Sequence, residues 1–368
     1  MAGLTTTTEI SAPVNVIFQT TLLRNAKALC PYFQPATPAT VTQHGGTFTA
    51  KWRRIENLTP VSSPLAELTG SLAFPTRTAD QPTITDVTAT VSKYGNFIFL
   101  NEEVDLVNFN GQTDKLMEVL GINAGQSLNR LQRDEMEDNF QAFLLGTATT
   151  ATGISNATGS GSTVNLTGIA AAVNYLDRNS AMKFMPQTLG STNIGTAPVR
   201  SSYWGYCHSD VEQDVRLLTG FQSVETYAGQ TETVAGEFGH VGGVRWISTP
   251  ESSIDTGTGQ STAATSSATG TGRAATGGRA DVYNSVIVGM DAVGSLGFGN
   301  EHVKSIYKAG DNLPAVMAIS HERGSAGAAD PLNEVGSIGY KTWHAAKVLN
   351  SNWGTCLRGT ASRLQSAG

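Results

Sequence analysis

Four carboxylates fall within five consecutive residues, Asp134-Glu135-Met136-Glu137-Asp138. Carboxylate oxygens are the ligands that hard cations such as Ca²⁺ and Mg²⁺ prefer, so the cluster raises the hypothesis of a cation site. Periodicity places it on a helix, where successive side chains point about 100° apart and cannot all meet at one ion. A solvated helix face or a subunit contact explains the cluster better.

Other chemical motifs are incomplete. His321-Glu322 begins like a metalloprotease helix, but Ser325 stands where the second His belongs. The segment Gly270–Ala275 imitates part of a dinucleotide fingerprint, without the strand and helix that the motif requires. The sequence contains neither a P-loop nor a Gly-x-Ser-x-Gly elbow. The histidines are scattered: His44, His208, His240, His302, His321 and His344. We therefore expect no enzyme, no cofactor and no metal.

The three cysteines and one basic pair have simpler interpretations than a catalytic or metal site. Cys30, Cys207 and Cys356 form neither a disulfide framework nor a zinc spacing, so we expect free, partly buried thiols. The pair Arg53-Arg54, beside a tryptophan on a predicted strand, fits a phosphate contact or a salt bridge between proteins equally well.

The composition favours a folded, loop-rich protein with few surface charges. Only 15% of the 368 residues are charged, 40 are glycine, and the formal net charge is −6. This balance argues against a general nucleic-acid binder, which normally has a basic face. No apolar run approaches the ~20 residues of a membrane helix, and no basic segment precedes the apolar residues of the N-terminus. We expect a soluble protein, intracellular at synthesis, with no membrane partner.

Two long strands and a long helix dominate the predicted architecture. One strand begins near Gly45, a second runs from Ile84 to Leu100, and the roughly 25 residues between them exceed an ordinary hairpin loop. A helix is predicted over 113–145, and its apolar positions form two stripes rather than one. Such a helix must pack on different partners at its two ends. Another long strand is predicted near the C-terminus.

Two tracts rich in Gly, Ser, Thr and Ala, 147–163 and 252–278, are predicted as flexible surface loops. Between them the pattern indicates an ordered α/β unit.

These pieces, in this order, resemble the major capsid proteins of tailed bacteriophages with the fold named after phage Hong Kong 97 (HK-97). Four stretches are similar to the N-4-like subfamily of these proteins, and the resemblance spans residues 20–358. The stretches are ITDVTATVSKYGNFIFLNEEVDL (84–106), HSDVEQDVR (208–216), GEFGHVGGVRWISTP (236–250) and DPLNEVGSIGYKTWHAAKVLN (330–350). The insertion at 252–278 departs from the family and affects the form of that loop.

The resemblance implies an α+β, HK-97-like capsid fold. Its parts would be an N-terminal arm (1–44), an extended β-hairpin called the E-loop (45–100), a P-domain (101–167) with spine helix 113–145, an A-domain (168–299) with the flexible insertion 252–278, and a return to the P-domain with a long C-terminal strand (300–368).

The function implied by the resemblance is structural. Hexamers and pentamers would close into an icosahedral shell that faces packaged double-stranded DNA without sequence-specific binding. Scaffolding, portal and decoration or cement proteins are the further partners that the family implies. The protein would be made in the host cytoplasm and located in the virion head, and we expect no covalent cross-links between subunits.

The E-loop supplies the expected contacts between subunits. The candidate residues are Lys51, Trp52, Arg53, Arg54, Glu67, Val87, Val91 and Lys93. In the strand 84–100, the part up to Val91 is expected to lie on a neighbouring subunit and 97–100 to enter this subunit's own core, with a break at 93–95.

Two alternatives stay open at this point. A host-encoded, encapsulin-like nanocompartment shell would have the same fold and enclose an enzyme. An enzyme whose site is assembled only in three dimensions would show turnover as a free subunit.

Overall fold

The computed structural model describes residues 30–41, 49–56, 58, 60, 62, 81–103, 112–155, 162–184, 199–227, 233–260, 275–276, 279–296, 316–321 and 331–362. The α-helices whose bounds lie within these residues are α1 (Gln112–Asn139), α2 (Leu166–Arg178) and α3 (Ser209–Arg216). The predicted N-terminal arm lies outside the described residues up to residue 29.

The strands up to the middle of the chain are β1 (Thr37–Pro38), β2 (Thr40–Val41), β3 (Thr49–Ile55), β4 (Ile84–Thr90), β5 (Ser92–Asn101), β6 (Gln141–Leu144), β7 (Tyr203–Cys207), β8 (Gln222–Ser223), β9 (Glu237–Val241) and β10 (Val244–Ser248). Those that follow are β11 (Ile254–Asp255), β12 (Ala275–Thr276), β13 (Arg279–Ala280), β14 (Val282–Val288), β15 (Val293–Ser295), β16 (Val316–His321), β17 (Val335–His344), β18 (Ala346–Val348) and β19 (Gly354–Gly359).

Helix α1 packs on two different sheets, as its two apolar stripes predict. Its first half buries apolar side chains against the sheet β16-β17-β5. Its last turns bury Met136, followed by Phe140, against the largest sheet. The apolar residues that the first half of α1 buries are Met117, Leu120, Ala124 and Leu128. The helix therefore joins the two sheets into one body.

The end of α1 corrects the predicted spine helix 113–145. The helix ends at Asn139, Phe140 is buried, and the next four residues form β6, which pairs in parallel with β19. Phe140 packs on one face of the large sheet, whereas Phe143 and Leu145 pack on the other. The run Phe140–Leu145 suits a strand as well as a helix, because a short apolar run fits both periods.

The largest sheet has the order β6-β19-β14-β7-β10-β9-β8, with β11 pairing on β14. Alternate side chains of its central strands point to opposite faces, so each face carries its own core. One core receives Ile169 and Leu176 from α2 and Val211 and Val215 from α3. The other receives the end of α1 and Tyr32 of the short 3-10 helix Pro31–Phe33.

Two strands of the small sheet β16-β17-β5, β5 and β17, overlap segments predicted as strands, whereas β16 is not predicted from the sequence. β5 pairs with β17 over ten residues, from Ser92 opposite His344 to Asn101 opposite Val335. A Cβ at Gly95 would lie 2.5 Å from the carbonyl oxygen of Tyr340, so glycine permits the close approach of the two strands.

The low-complexity tracts are partly packed, which corrects their prediction as surface loops. Ile154 is fully buried in the first tract. In the second, Ser252 is buried, and Ile254–Asp255 form β11. Small polar side chains can be buried when hydrogen bonds satisfy them, and composition does not show where those partners are. Residues 261–274 lie outside the described part.

We expect Phe140→Ala to lower the free energy of unfolding by about 3–5 kcal/mol, because it removes a buried ring where α1 meets the large sheet. The control is Phe99→Ala, whose ring is exposed and which should change the value by less than about 0.5 kcal/mol. Urea unfolding of the full-length subunit measures both. Equal stability of the two variants would contradict the described packing.

Candidate subunit-contact surface

Strands β3 and β4 form an antiparallel hairpin, and one face of its described part packs on the rest of the subunit. Their register runs from Thr49 opposite Thr90 to Ile55 opposite Ile84, and the amide of Glu56 donates to the carbonyl of Thr83 at 2.9 Å. β4 continues into β5, interrupted only at Val91. The chain thus passes directly from the hairpin, which belongs to the separate sheet β2-β3-β4, into the small sheet that packs on α1.

The base of the hairpin is fixed by Trp52, which is only 7% exposed. Its Nε1 donates to the carbonyl of Thr37 at 3.2 Å, and its indole lies so close to Gly294 that a Cβ there would collide with the ring. Val91 is buried in the same small cluster, together with Leu296. The geometry of this base holds the direction of the hairpin relative to β15.

On one face of the hairpin, two basic side chains pair with the same carboxylate. Lys51 Nζ lies 2.6 Å from Asp86 Oδ2, and Arg53 Nε lies 3.0 Å from Asp86 Oδ1. Hydrogen bonds from Lys51 and then Arg53 lower the pKa of Asp86 below its usual value. Because both cations share this exposed carboxylate, the face has an excess of one positive charge.

Arg54 points to the opposite side of the hairpin. Its Nη1 donates to the carbonyl of Leu349 at 2.7 Å, and its Nε donates to Glu56 Oε1 at 2.8 Å. The pair Arg53-Arg54 is therefore divided between two faces, and each guanidinium has a carboxylate partner within the subunit. These ion pairs lie within one subunit, so the two hypotheses for this pair, a phosphate contact and a salt bridge between proteins, both stay predictions.

Apolar side chains are exposed towards the far end of the described hairpin. Ile55 and Ile84 face solvent at its last register position, and Leu58 is exposed just beyond it. Monomeric proteins seldom leave several large apolar side chains exposed close together, and such groups commonly mark interaction sites.

The outer face of the small sheet, opposite α1, carries a second apolar group. Phe97 is 61% exposed and Phe99 67%, and their rings meet edge to face with centroids 5.1 Å apart. Tyr94 and Ile319 line the same groove of about 640 Å³. The polar and basic residues at this groove include Lys93, Asn96, His321 and Lys341. We call this surface the outer face.

The outer face corrects the expectation that residues 97–100 enter the subunit's own core. Ile98 and Leu100 do pack against α1, but Phe97 and Phe99 point away from it. The alternation of side chains along a strand could have revealed the division, because one face of β5 is covered and the other is not. The break in the long strand falls at Val91 rather than at 93–95.

The eight contact candidates occupy three kinds of position. Lys51, Arg53 and Lys93 are exposed, and Val87 and Arg54 are partly exposed. Trp52 and Val91 are buried against the subunit's own residues, so in this conformation neither is available to a neighbour. Glu67 lies outside the described residues.

The carboxylates of Asp134–Asp138 point to separate partners, as expected for a helix. Asp134 pairs with Arg133, Glu135 pairs with Lys347 of β18, and Glu137 accepts a hydrogen bond from Ser253. Within the part of the chain that the structure describes, no three His, Cys, Asp or Glu side chains are grouped to hold a metal ion.

Cys30, Cys207 and Cys356 form no disulfide, as predicted, and all three are buried. Burial raises the pKa of Cys30 and of Cys356 to about 12, and it raises the pKa of Cys207 further. Because the thiolate is the reactive form, these side chains are inert at neutral pH. Among the described residues, no helix is both long and apolar enough to cross a membrane.

His344, at the base of the hairpin, makes this region sensitive to acid. Its ring is buried with its centroid 5.4 Å from that of Phe33, and Nε2 has no hydrogen-bond partner. Burial lowers the pKa of His344 to about 4, and a backbone hydrogen bond involving Leu296 opposes this shift only in part. A neutral imidazole therefore stabilises the fold above pH 6.5, and this contribution is lost as pH falls through 4.

We predict that His344→Leu removes part of the acid destabilisation of the subunit. Between pH 6.5 and 4 the wild type should lose up to about 3 kcal/mol of unfolding free energy more than this variant. Urea unfolding across that pH range is the measurement. His321→Leu is the control, since His321 is exposed, and it should keep the wild-type pH dependence. Identical slopes for wild type and His344→Leu would refute the assignment.

Comparison with solved structures finds the same architecture in phage capsids. The capsid of Ralstonia phage GP4 matches 90% of this chain and 88% of that chain, with a TM-score of 0.56 and 10% identity. The capsid of cyanophage P-SCSP1u matches 89% of this chain and 87% of that chain, with a TM-score of 0.51 and 13% identity. No family model and no curated protein matches the sequence. The predicted α+β capsid fold is confirmed and is consistent with the HK-97 type.

Proposed function

We propose that this chain is the major capsid protein of a tailed bacteriophage. It forms hexamers and pentamers that close into an icosahedral shell around double-stranded DNA. The observation that carries the proposal is the likeness of fold to two phage capsids over about nine tenths of each chain. Fold alone does not specify function, so the surfaces of this chain must also suit assembly.

The hairpin and the outer face suit contact between subunits. The hairpin leaves apolar side chains exposed at its far end, and the outer face exposes Phe97 and Phe99 beside a groove. Both surfaces would be a liability on a soluble monomer. A neighbouring copy that covers them removes their apolar area from water, which favours assembly.

The charges suit a shell that faces DNA without gripping it. The net charge is −6, and phosphate binding requires clustered Lys and Arg. Lys51 and Arg53, the nearest approach to such a cluster on the hairpin, share Asp86. This charge balance supports a shell that does not bind DNA tightly.

Several finer assignments belong to this proposal. The four sequence stretches support membership of the N-4-like subfamily. We assign the hairpin to the E-loop and α1 to the spine helix. Scaffolding, portal and decoration or cement proteins are the proposed partners of the shell. The protein is made in the host cytoplasm and functions as a structural, non-enzymatic component of the virion head.

A host-encoded nanocompartment would share this fold. Both solved structures that carry the comparison are phage capsids, which favours the virion. The content of purified particles distinguishes the two functions, because a virion encloses DNA and a nanocompartment encloses a protein cargo.

The outer face gives a test of assembly. We expect Phe97→Ser with Phe99→Ser to leave a folded subunit but to prevent rings and shells, since both rings are exposed in the single chain. Size-exclusion chromatography and electron microscopy of the expressed protein measure this. Leu217→Ser is the control, because it removes an equally exposed apolar side chain outside the outer face. A double variant that assembles like the wild type would exclude the outer face as a contact.

The hairpin gives a second test. Deleting residues 58–80 and joining the strands with a short turn should preserve folding, because Ile55 and Ile84 already face each other. We expect circular dichroism and unfolding of this variant to match the wild type, while no shells form even with a scaffold partner. Loss of folding would mean that the deleted segment belongs to the subunit's core.

A further inference from the structure

The segment Thr249–Asp255 lies between helix α1 and the large sheet, and we call it the bridging segment. Glu251 receives hydrogen bonds from two residues of the helix: Gln126 Nε2 donates to Oε1 at 3.0 Å, and Arg130 Nε donates to Oε2 at 2.9 Å. Arg133 Nη1 donates to the carbonyl oxygen of Glu251 at 2.6 Å. The first half of the segment is therefore bound to three consecutive turns of α1.

The second half of the bridging segment connects the helix to the sheet. Ser253 Oγ donates to Glu137 Oε2 of α1 at 2.5 Å, and the same Oγ accepts from Asn284 Nδ2 of β14 at 2.7 Å. The preceding residue, Ser252, shares a hydrogen bond with Tyr32 at 2.6 Å. One hydroxyl group, that of Ser253, thus links the helix to a central strand of the sheet.

Glu137 is poorly compensated for a buried carboxylate. It is 7% exposed, and its Oε1 is buried without a hydrogen bond. The nearest cation, Arg133, lies 3.8 Å away and is occupied elsewhere. Its Nε and Nη2 both donate to Asp134, and its Nη1 donates to Glu251. A buried charge without a well-placed partner destabilises the state that buries it.

The surroundings of Glu137 favour its neutral form. Burial raises the pKa of Glu137 to about 7, whereas the hydrogen bond from Ser253 and the charge of Arg133 lower it only in part. The titratable and charged groups around it come from every element that packs there. They are Arg130, Arg133, Asp134 and Asp138 of α1, Glu251 and Asp255 of the bridging segment, Tyr32 of the 3-10 helix, and Cys356 and Arg358 of β19.

We propose that Glu137 and the bridging segment form a proton-dependent clasp between helix α1 and the large sheet. The clasp is closed when the Glu137 side chain is neutral. It loosens when that side chain becomes a buried anion whose only close donor among the described residues is Ser253. The property belongs to the single subunit, so it goes beyond the proposed assembly and does not depend on it.

The sign follows from the direction of the pKa shift. The pKa of Glu137 in the closed state is higher than the ordinary value of 4.5 for a glutamate carboxyl, so the closed state binds a proton more tightly than the open state. The stabilising contribution is complete below pH 4.5 and is lost as pH rises through about 7. Alkaline conditions therefore favour opening, in contrast to the acid sensitivity at His344.

Hydrogen exchange of the full-length free subunit tests the clasp between pH 5 and 8. After correction for intrinsic exchange rates, protection of residues 249–255 should fall by roughly ten- to a hundredfold across this range in the wild type. In Glu137→Gln, which stays neutral and can accept from Ser253, protection should stay constant. Wild-type protection that does not change with pH would overturn the proposal, whether or not the variant folds.

Two controls separate the clasp from a general loss of stability. Asp138→Asn removes a neighbouring exposed carboxylate and should retain the wild-type pH dependence. Amides of β14 away from Asn284 should show no matching change. An equal fall in protection in wild type and Glu137→Gln, or in β14 and the bridging segment, would assign the effect to another group and refute the clasp.

Discussion

Helix α1 buries one half against the sheet β16-β17-β5 and the other half against the large sheet, and this shared packing makes one body of two. Each half is too short to be a stable helix alone in water, so each depends on its sheet and both depend on the continuity of the helix. Polar contacts follow the same division. Tyr340 donates to Asn123 in the first half, and Lys347 pairs with Glu135 in the second.

The hairpin takes its direction from this frame. β5 is held by β17 against α1, β4 continues from β5, and Trp52 fixes the partner strand β3 over Gly294. What remains uncovered is then determined by strand geometry: one face of β5 packs on the helix, and the other presents Phe97 and Phe99. A hairpin with exposed apolar side chains at its far end is suited to contact another copy.

The sequence predicts which helices and strands form better than it predicts where they begin and end. The two stripes on α1 correctly indicate two packing partners, because helical periodicity is visible in the residues themselves. The helix end at Asn139 is missed, because Phe140–Leu145 fits either period until β19 is known to lie beside it. Trp52 and Val91 are expected at an interface, but they bury against residues distant in the chain, Gly294 and Leu296.

Prediction of the contact surface and of the surroundings of Glu137 from the sequence is limited in the same way. The sequence of β5 shows which side chains share a face. It does not show which of the two faces α1 covers. The carboxylates of Asp134–Asp138 are correctly expected to diverge, but the burial of Glu137 depends on Ser253, in a tract whose composition predicts a flexible loop. Local pattern therefore specifies strands and helices, whereas exposure and charge compensation depend on contacts between distant segments.

Electron cryomicroscopy of particles formed by the full-length chain tests the central claim most directly. The account predicts closed icosahedral shells in which a neighbouring subunit covers the apolar end of the hairpin and the rings of Phe97 and Phe99. Shells in which both surfaces face solvent, or a chain that stays monomeric under every assembly condition, would contradict it.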